Sequence, residues 1–251
     1  MVMVRLEPIL YRVVTLTREG EARRFITCLH RRESPRSFAH AAVKSLCIYD
    51  RILGTTALEI LYDCTGVTSL AIWIITAAPV LMQEHINTLP LKKLSLHMTS
   101  VFSTPPSFTM LGIAQVITHL EILEGWTLST ETIGIKGLTQ LTHLSLPLDL
   151  HSSCPKHFQR ILHHCFNLKV LILRSAKSQN SVNAWLEVHD IHDIHTVWTN
   201  ESPWRDWFPP NNNHHNLWDC RGDIVAWRRQ MKGMCQDMQH IVLTGKFSQS
   251  I

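Results

Sequence analysis

The chain has 251 residues, which is enough for one large domain or two small ones with a sizeable buried core. Hydrophobic residues make up 45% of it and charged residues 18%, which excludes an intrinsically disordered chain. The formal net charge of +4 is small and spread along the sequence, so it gives no reason to expect a nucleic-acid partner.

The seven cysteines indicate a reducing compartment. Their number is odd and no two have the Cys-x-x-Cys spacing, so we expect free thiols, several of them buried. Residues 1–8 also lack the charged and then apolar stretches of a signal peptide. We therefore expect a cytoplasmic or nuclear protein.

The first predicted elements form an N-terminal strand–helix cap, which we assign to residues 1–36. Residues 11–16 alternate apolar and polar side chains and predict a strand. Residues 17–30 predict a helix, with Thr17 as its N-cap residue and Glu19 and Glu21 in its first turn.

A repeated pattern occupies residues 37–176. An apolar residue, two others, an apolar residue, one other and an apolar residue occur six times, starting at residues 43, 67, 91, 117, 141 and 168. The intervals are 24, 24, 26, 24 and 27 residues, which lie in the range of leucine-rich repeats. The pattern positions are Val43, Leu46, Ile48, Val67, Leu70, Ile72, Leu91, Leu94, Leu96, Ile117, Leu120, Ile122, Leu141, Leu144, Leu146, Leu168, Leu171 and Leu173.

This pattern has a simple physical interpretation. The last two apolar positions of each copy are two residues apart, so in a strand both side chains point to one face of a sheet. Stacked copies bury these side chains in a continuous core, while the polar residues Lys44, Thr68, Lys92, Thr118 and Thr142 face outward. The sequence predicts an α/β fold, namely a degenerate leucine-rich-repeat-like solenoid of parallel strands with helices or loops on its convex side. A layered α/β domain is the alternative.

A polar residue typical of standard repeats is missing. Asn or Cys usually stands three residues after the last apolar position and bonds the turning backbone. Here these positions hold Arg51, Ile75, Thr99, Gly125, Asp149 and Ala176. We therefore expect a solenoid of irregular curvature.

The segments between the strands are predicted to be helices or loops. Residues 50–64 and 153–165 carry apolar side chains at helical spacing, and Ser153 is expected to cap the second helix. Residues 99–107 contain two prolines and indicate a loop.

An uncharged run at residues 64–83 approaches the length of a membrane span. Because residues 67–72 within it are a copy of the repeat, we favour a buried strand followed by a buried helix, and expect no membrane contact.

A tryptophan-rich capping region is predicted for residues 177–251. Six of the eight tryptophans lie between Trp185 and Trp227. The predicted elements are strands at residues 195–199 and 238–243, a loop at residues 209–216, and a helix at residues 217–232 that buries Trp218, Ile224, Val225 and Trp227. An open solenoid needs such a segment to cover its last unit.

Several short segments resemble uncharacterised fungal F-box and leucine-rich-repeat-like proteins. They are residues 6–16, 43–46, 64–70, 116–122, 141–146 and 224–229. In that family the F-box docks the Skp adaptor of a ubiquitin ligase, and the repeats collect the substrate. The resemblance implies a substrate-recognition half without its F-box, so we expect a protein partner of unknown identity and no Skp binding.

A metal-dependent enzyme is the alternative function. It would use His189, His192 and His195, with Asp190 and Asp193 behind the imidazoles. The spacing matches no standard zinc site, and the chain lacks a nucleophile elbow, a phosphate-binding glycine loop and a His-Glu-x-x-His motif. We therefore predict a non-catalytic protein-interaction module without a cofactor or metal, whose binding surface is the sheet side of the solenoid.

Overall fold

The structure is a computed structural model that describes residues 3–74, 79–98, 108, 111–123, 134–200, 207, 218, 221–226 and 228, with the backbone alone for residues 3–5. Its strands are β1 (Val13–Leu16), β2 (Ser45–Ile48), β3 (Ser69–Ile72), β4 (Lys93–Leu96), β5 (His119–Ile122), β6 (His143–Pro147), β7 (Val170–Arg174) and β8 (Thr196–Thr199). Its helices are α1 (Met3–Leu10), α2 (Glu19–His30), α3 (Pro35–Ala42), α4 (Gly54–Asp63), α5 (Pro79–Thr88), α6 (Pro155–His164) and α7 (Gln179–Val188), with 3-10 helices at Gly112–Gln115 and Ile135–Gly137.

The eight strands form one open parallel sheet, in which each strand lies beside the next strand of the sequence. Equivalent pattern positions are paired across the sheet, so that Leu46 lies beside Leu70 and Leu70 beside Leu94. The register is constant because a shift by one residue would turn the apolar side chains of a strand away from the core. The prediction of an α/β fold with parallel strands is confirmed.

The core lies between this sheet and the helices. All eighteen pattern positions are buried in one continuous cluster. The helices pack against each other in chain order behind the sheet, α2 against α4 and α4 against α5. Because each fully buried Leu or Ile side chain contributes about 1.5–3 kcal/mol, the pattern positions supply much of the free energy that holds the sheet and helices together.

A ladder of hydrogen bonds runs along the amino ends of the strands. The hydroxyl of Thr68 donates to the Lys44 carbonyl at 3.3 Å, that of Thr118 to the Lys92 carbonyl at 3.0 Å, and that of Thr142 to the Thr118 carbonyl at 3.0 Å. The backbone N–H groups of these threonines donate to the same carbonyls. The polar residues of the pattern therefore join successive copies at the start of each strand, whereas the Asn or Cys of standard repeats acts after its end.

Two predicted helix caps are wrong. Thr17 lies one residue before the N-cap of α2, where its N–H and its hydroxyl both donate to the Glu21 carboxylate at 2.9 Å. Ser153 lies one residue before the N-cap of α6, and its hydroxyl accepts the Asp149 N–H at 3.1 Å. In both cases the polar side chain closes the turn that leads into the helix, so it does not satisfy the helix's own first N–H groups.

The uncharged run contains β3 and the start of α5. The strand is buried as predicted, but α5 is amphipathic, with Met82 and Ile86 buried and Val80 and Leu81 more than half exposed. The prediction of a buried helix is therefore wrong in part. Within the described ranges, every helix is too short or too polar to cross a membrane.

Strands flank the six copies on both sides, because β1 and β8 extend the sheet where residues 11–16 and 195–199 predicted strands. Residues 221–226 are helical, and Val225 among them is buried. Trp227 and the elements predicted at residues 99–107, 209–216 and 238–243 lie outside the described residues.

Candidate functional site

The sheet has a second face, opposite the core, to which the alternate strand residues point. We call it the second face. Its middle row runs across all eight strands in register: Thr15, Cys47, Ala71, Ser95, Glu121, Ser145, Ile172 and Val197.

The centre of the second face is buried, although it is not the core face. Ser95, Glu121 and Ser145 are each 0% exposed. A carboxylate at this depth costs free energy unless it is paired and hydrogen-bonded. The Glu121 carboxylate therefore needs contacts of both kinds.

Glu121 is the acceptor at the centre of a polar network. Its carboxylate accepts hydrogen bonds from the hydroxyls of Ser95 at 2.7 Å and Ser145 at 3.4 Å. The Arg174 guanidinium lies 2.5 Å from it, and the Trp207 indole N–H donates to it at 3.3 Å. The carboxylate thus has donors on the neighbouring strands β4 and β6, on β7, and on Trp207, which lies beyond the sheet in the sequence.

Two further hydrogen bonds hold the network in place. The Arg174 Nε donates to the Ser145 hydroxyl at 2.9 Å, and the Trp73 indole N–H donates to the Ser95 hydroxyl at 2.9 Å. Each serine therefore accepts one hydrogen bond and donates another to Glu121. Such a connected network fixes the position of every member, because each loses a partner if one of them moves.

Trp207 lies across one half of the second face. Its side chain is 7% exposed and packs with Cys47, Ala71 and Trp73. Its backbone carbonyl accepts the Thr15 hydroxyl at 3.4 Å. Trp207 thus contacts residues of β1, β2, β3 and β5, and it covers the apolar residues Cys47 and Ala71 of this surface.

A second tryptophan, Trp218, covers the histidines of the second face. The rings of His119 and His143 are parallel, with centroids 4.1 Å apart, and Trp218 meets both edge-on. Each histidine Nδ1 lies 2.8 Å from the hydroxyl of the threonine that precedes it. Burial, together with the charges of His143 and Lys93, lowers the pKa of His119 to about 3. His119 is therefore neutral at physiological pH.

The end of the second face near β8 is apolar. Trp218 and Val225 pack there with the strand residues Val170, Ile172 and Val197. The predicted capping region therefore contributes in two ways: β8 lengthens the sheet, and Trp207, Trp218 and Val225 lie over its second face.

The histidines considered for a metal site are spread over the turn between α7 and β8. His189 follows the last residue of α7, so the three histidines do not share a helix face. His192 Nε2 lies 3.3 Å from Asp190, and His195 Nδ1 lies 2.6 Å from Asp193. Within the part of the chain that the structure describes, no group of three or more His, Cys, Asp or Glu residues is placed to hold a metal ion.

The sequence patterns predicted no role for Glu121, Arg174 or Trp207. A signal for Glu121 was present, because the residue between the last two apolar positions of the six copies is Cys47, Ala71, Ser95, Glu121, Ser145 or Ile172. Glu121 is the charged member of this set. Its partners could not be found from the pattern, since Trp207 is 86 residues away along the chain.

Comparisons with known proteins leave the second face to be interpreted from its own geometry, because no protein-family model matches the chain and no curated protein has a matching sequence.

Proposed function

We propose that this protein is a non-catalytic protein-interaction module, similar in kind to the substrate-recognition part of F-box proteins, and that the second face is its binding surface. Its place of action is the cytoplasm or the nucleus, in keeping with the five free cysteines among the described residues. In the structure, Trp207 and Trp218 occupy the surface that the partner would bind.

The repeat supports a leucine-rich-repeat-like architecture for this module. The six copies recur every 24–27 residues, and their strands are parallel, consecutive and in register. Proteins built from stacked repeats use the continuous surface of their strands to bind other proteins. A module of this kind needs no catalytic group. The carboxylate of Glu121 on the second face is 0% exposed, so we assign it a structural role.

The main support for the proposal is the way Trp207 packs on the second face. An indole with an N–H donor is buried against apolar strand residues and bonded to a buried carboxylate. Tryptophans that fill such pockets dominate the binding energy of many protein interfaces. The second face therefore has the chemistry to receive an aromatic anchor with a hydrogen-bond donor, and a partner that presents one competes with Trp207.

Site-specific photo-crosslinking in the host cell tests this proposal. One full-length variant carries p-benzoylphenylalanine in place of Tyr49, which lies on the second face beside Trp73 with ring centroids 5.1 Å apart. A matched control carries it in place of Tyr62, which lies on α4 and is 50% exposed. A crosslinked partner is identified by mass spectrometry, purified, and titrated against the wild type and Trp207→Ala.

We expect one protein to crosslink at position 49 and not at position 62, and to bind Trp207→Ala more tightly than the wild type. A partner that crosslinks at position 62 alone would show that the helix side is the interface. Unchanged affinity in Trp207→Ala would refute competition with the C-terminal residues. The absence of a crosslink at both positions would refute the proposed function.

A further inference from the structure

A cavity of about 470 Å³ lies at the end of the sheet, beside β8. Its walls come from α7, from the turn between α7 and β8, from β8, and from Arg221, Ile224 and Arg228. It takes in residues from both faces of β8, with Thr196 and Trp198 on the core side and Val197 on the second face. We propose that this cavity binds a small organic anion, a carboxylate or a phosphate monoester, through Arg221 and Arg228.

Buried polar atoms without partners converge on this cavity. Among the described residues, four buried side-chain nitrogen or oxygen atoms lack a hydrogen-bond partner. Three of them belong to residues that line the cavity: the Thr196 Oγ1, the Trp198 Nε1 and the Arg221 Nε. Thr196 is only 6% exposed, so bulk water does not serve its hydroxyl. Buried groups of this kind are normally satisfied, and a ligand that accepts hydrogen bonds would satisfy them.

The charges in the cavity favour an anion. Arg221 Nη2 donates to the Thr199 hydroxyl at 3.0 Å, and Arg228 Nη1 donates to the Thr196 carbonyl at 2.7 Å. Both acceptors are neutral, and among the described residues no carboxylate pairs with either guanidinium. The contacts hold the two arginines in place without neutralising them.

Two carboxylates, Glu187 and Asp193, also line the cavity, but neither forms an ion pair with Arg221 or Arg228. Asp193 accepts both the backbone N–H and the ring Nδ1 of His195 at 2.6 Å, and Glu187 is exposed on α7. The wall also contains Leu186, Ile191 and Ile224. A ligand with an anionic head and a short apolar body matches both parts of this lining, because guanidinium groups bind oxyanions well and the apolar wall removes the body from water.

Binding of three six-carbon probes to the full-length protein tests the proposal. The probes are hexanoate, hexyl phosphate and the neutral hexanamide, and the reporter is the NMR signal of the Trp198 indole N–H, assigned with Trp198→Phe. We expect a saturable shift with at least one anion and none with hexanamide. Hexanoate alone or hexyl phosphate alone supports the site and identifies its headgroup.

Variants then test the role of the arginine. Arg221→Gln should weaken binding about tenfold or more, since a charge-assisted hydrogen bond is lost, and Arg221→Lys should restore part of it. Lys156→Gln makes the same change of charge at an exposed position of α6 and should have no effect. Equal shifts with hexanamide, no saturable shift with either anion, or equal affinities in Arg221→Gln and Lys156→Gln would each overturn the proposal. The comparison of the three probes does not depend on Arg221→Gln, so it decides the matter even if that variant does not fold.

Discussion

The Arg174 guanidinium lies 2.5 Å from the Glu121 carboxylate on the second face, and the two side chains are 9% and 0% exposed. Removing one member of a buried ion pair leaves an uncompensated charge, which costs more than the pair itself contributes. We therefore expect Glu121→Gln to lower the free energy of unfolding by about 3 kcal/mol, measured by urea denaturation.

A double-mutant cycle separates the pair from its surroundings. Arg174→Met alone should be similarly destabilising, and the double variant should be more stable than the sum of the two losses predicts. Glu84→Gln, at an exposed position of α5, is the control and should change stability little. Additive losses in the cycle would mean that Glu121 and Arg174 do not act as a pair.

Cys47 and Cys64 report separately on the two faces of the sheet. Burial is the main reason that the pKa of each thiol is raised to about 12, and the charges of Glu121 near Cys47 and of Asp63 near Cys64 contribute as well. Cys47 packs with Trp207, whereas Cys64 lies in the core. We expect Trp207→Ala to speed alkylation of Cys47 by N-ethylmaleimide roughly tenfold or more. This factor corresponds to a decrease of about 1.4 kcal/mol in the free energy of the local opening that exposes Cys47.

Alkylation of Cys64 in Trp207→Ala should stay slow, which mass spectrometry of the labelled peptides can establish in the same sample. If both thiols react faster by the same factor, Trp207 stabilises the whole fold and is not a separable cover of the second face.

Gly66 lies against the backbone of α3. A Cβ atom at this position would stand 1.9 Å from the His40 carbonyl oxygen, a distance that requires the turn before β3 to move away from α3. Because the nearest atoms are all backbone atoms of His40, the strain cannot be relieved by a side-chain rotation. We expect Gly66→Ala to lower the free energy of unfolding by about 3 kcal/mol, the upper range for overpacking.

Gly20 is the matched control for this substitution. A Cβ added there meets nothing within 4 Å, and Gly20 lies in α2. Gly20→Ala should stabilise the protein by up to about 1 kcal/mol, because alanine favours the helix. Equal effects of the two substitutions would show that the contact at His40 is not a constraint.

The low pKa of His119 links stability to pH. Its pKa in the folded chain is about 3, below the usual 6.5, chiefly because it is buried, with His143 and Lys93 adding to the effect. The unfolded chain therefore binds a proton at this site when the folded chain does not, and stability should fall as the pH drops from 6.5 towards 3. We expect His119→Phe, which keeps an aromatic ring beside His143, to reduce this slope by about 1 kcal/mol per pH unit.

Denaturation midpoints of the wild type and His119→Phe between pH 7 and 4.5 measure this difference, and NMR of the ring nitrogens reports the protonation of His119 directly. A His119 ring that takes up its proton near pH 6.5 in the folded protein would contradict the expectation.

The layout of the sheet was predictable because it follows from short-range order in the chain. The apolar pattern recurs at nearly constant spacing, and each copy places its strand beside the next one, as the pairing of Leu46 with Leu70 illustrates. The caps at Thr17 and Ser153 were predicted wrongly because a polar side chain near a helix start has several local acceptors and donors, and its choice among them depends on the turn.

The amino-acid sequence was enough to predict the strands, their common face and the α/β class, because alternation along a strand decides which side chains share a core. It also contained Glu121 as the charged residue among uncharged ones in the middle row. The residues that contact Glu121 on the second face depend on how the whole chain folds. Arg174 comes from a strand two places away, and Trp207 from 86 residues further along the chain, and no local pattern relates residues so distant. Trp207 meets Glu121 because it packs back over the sheet, where a buried carboxylate and an apolar surface can accept an indole.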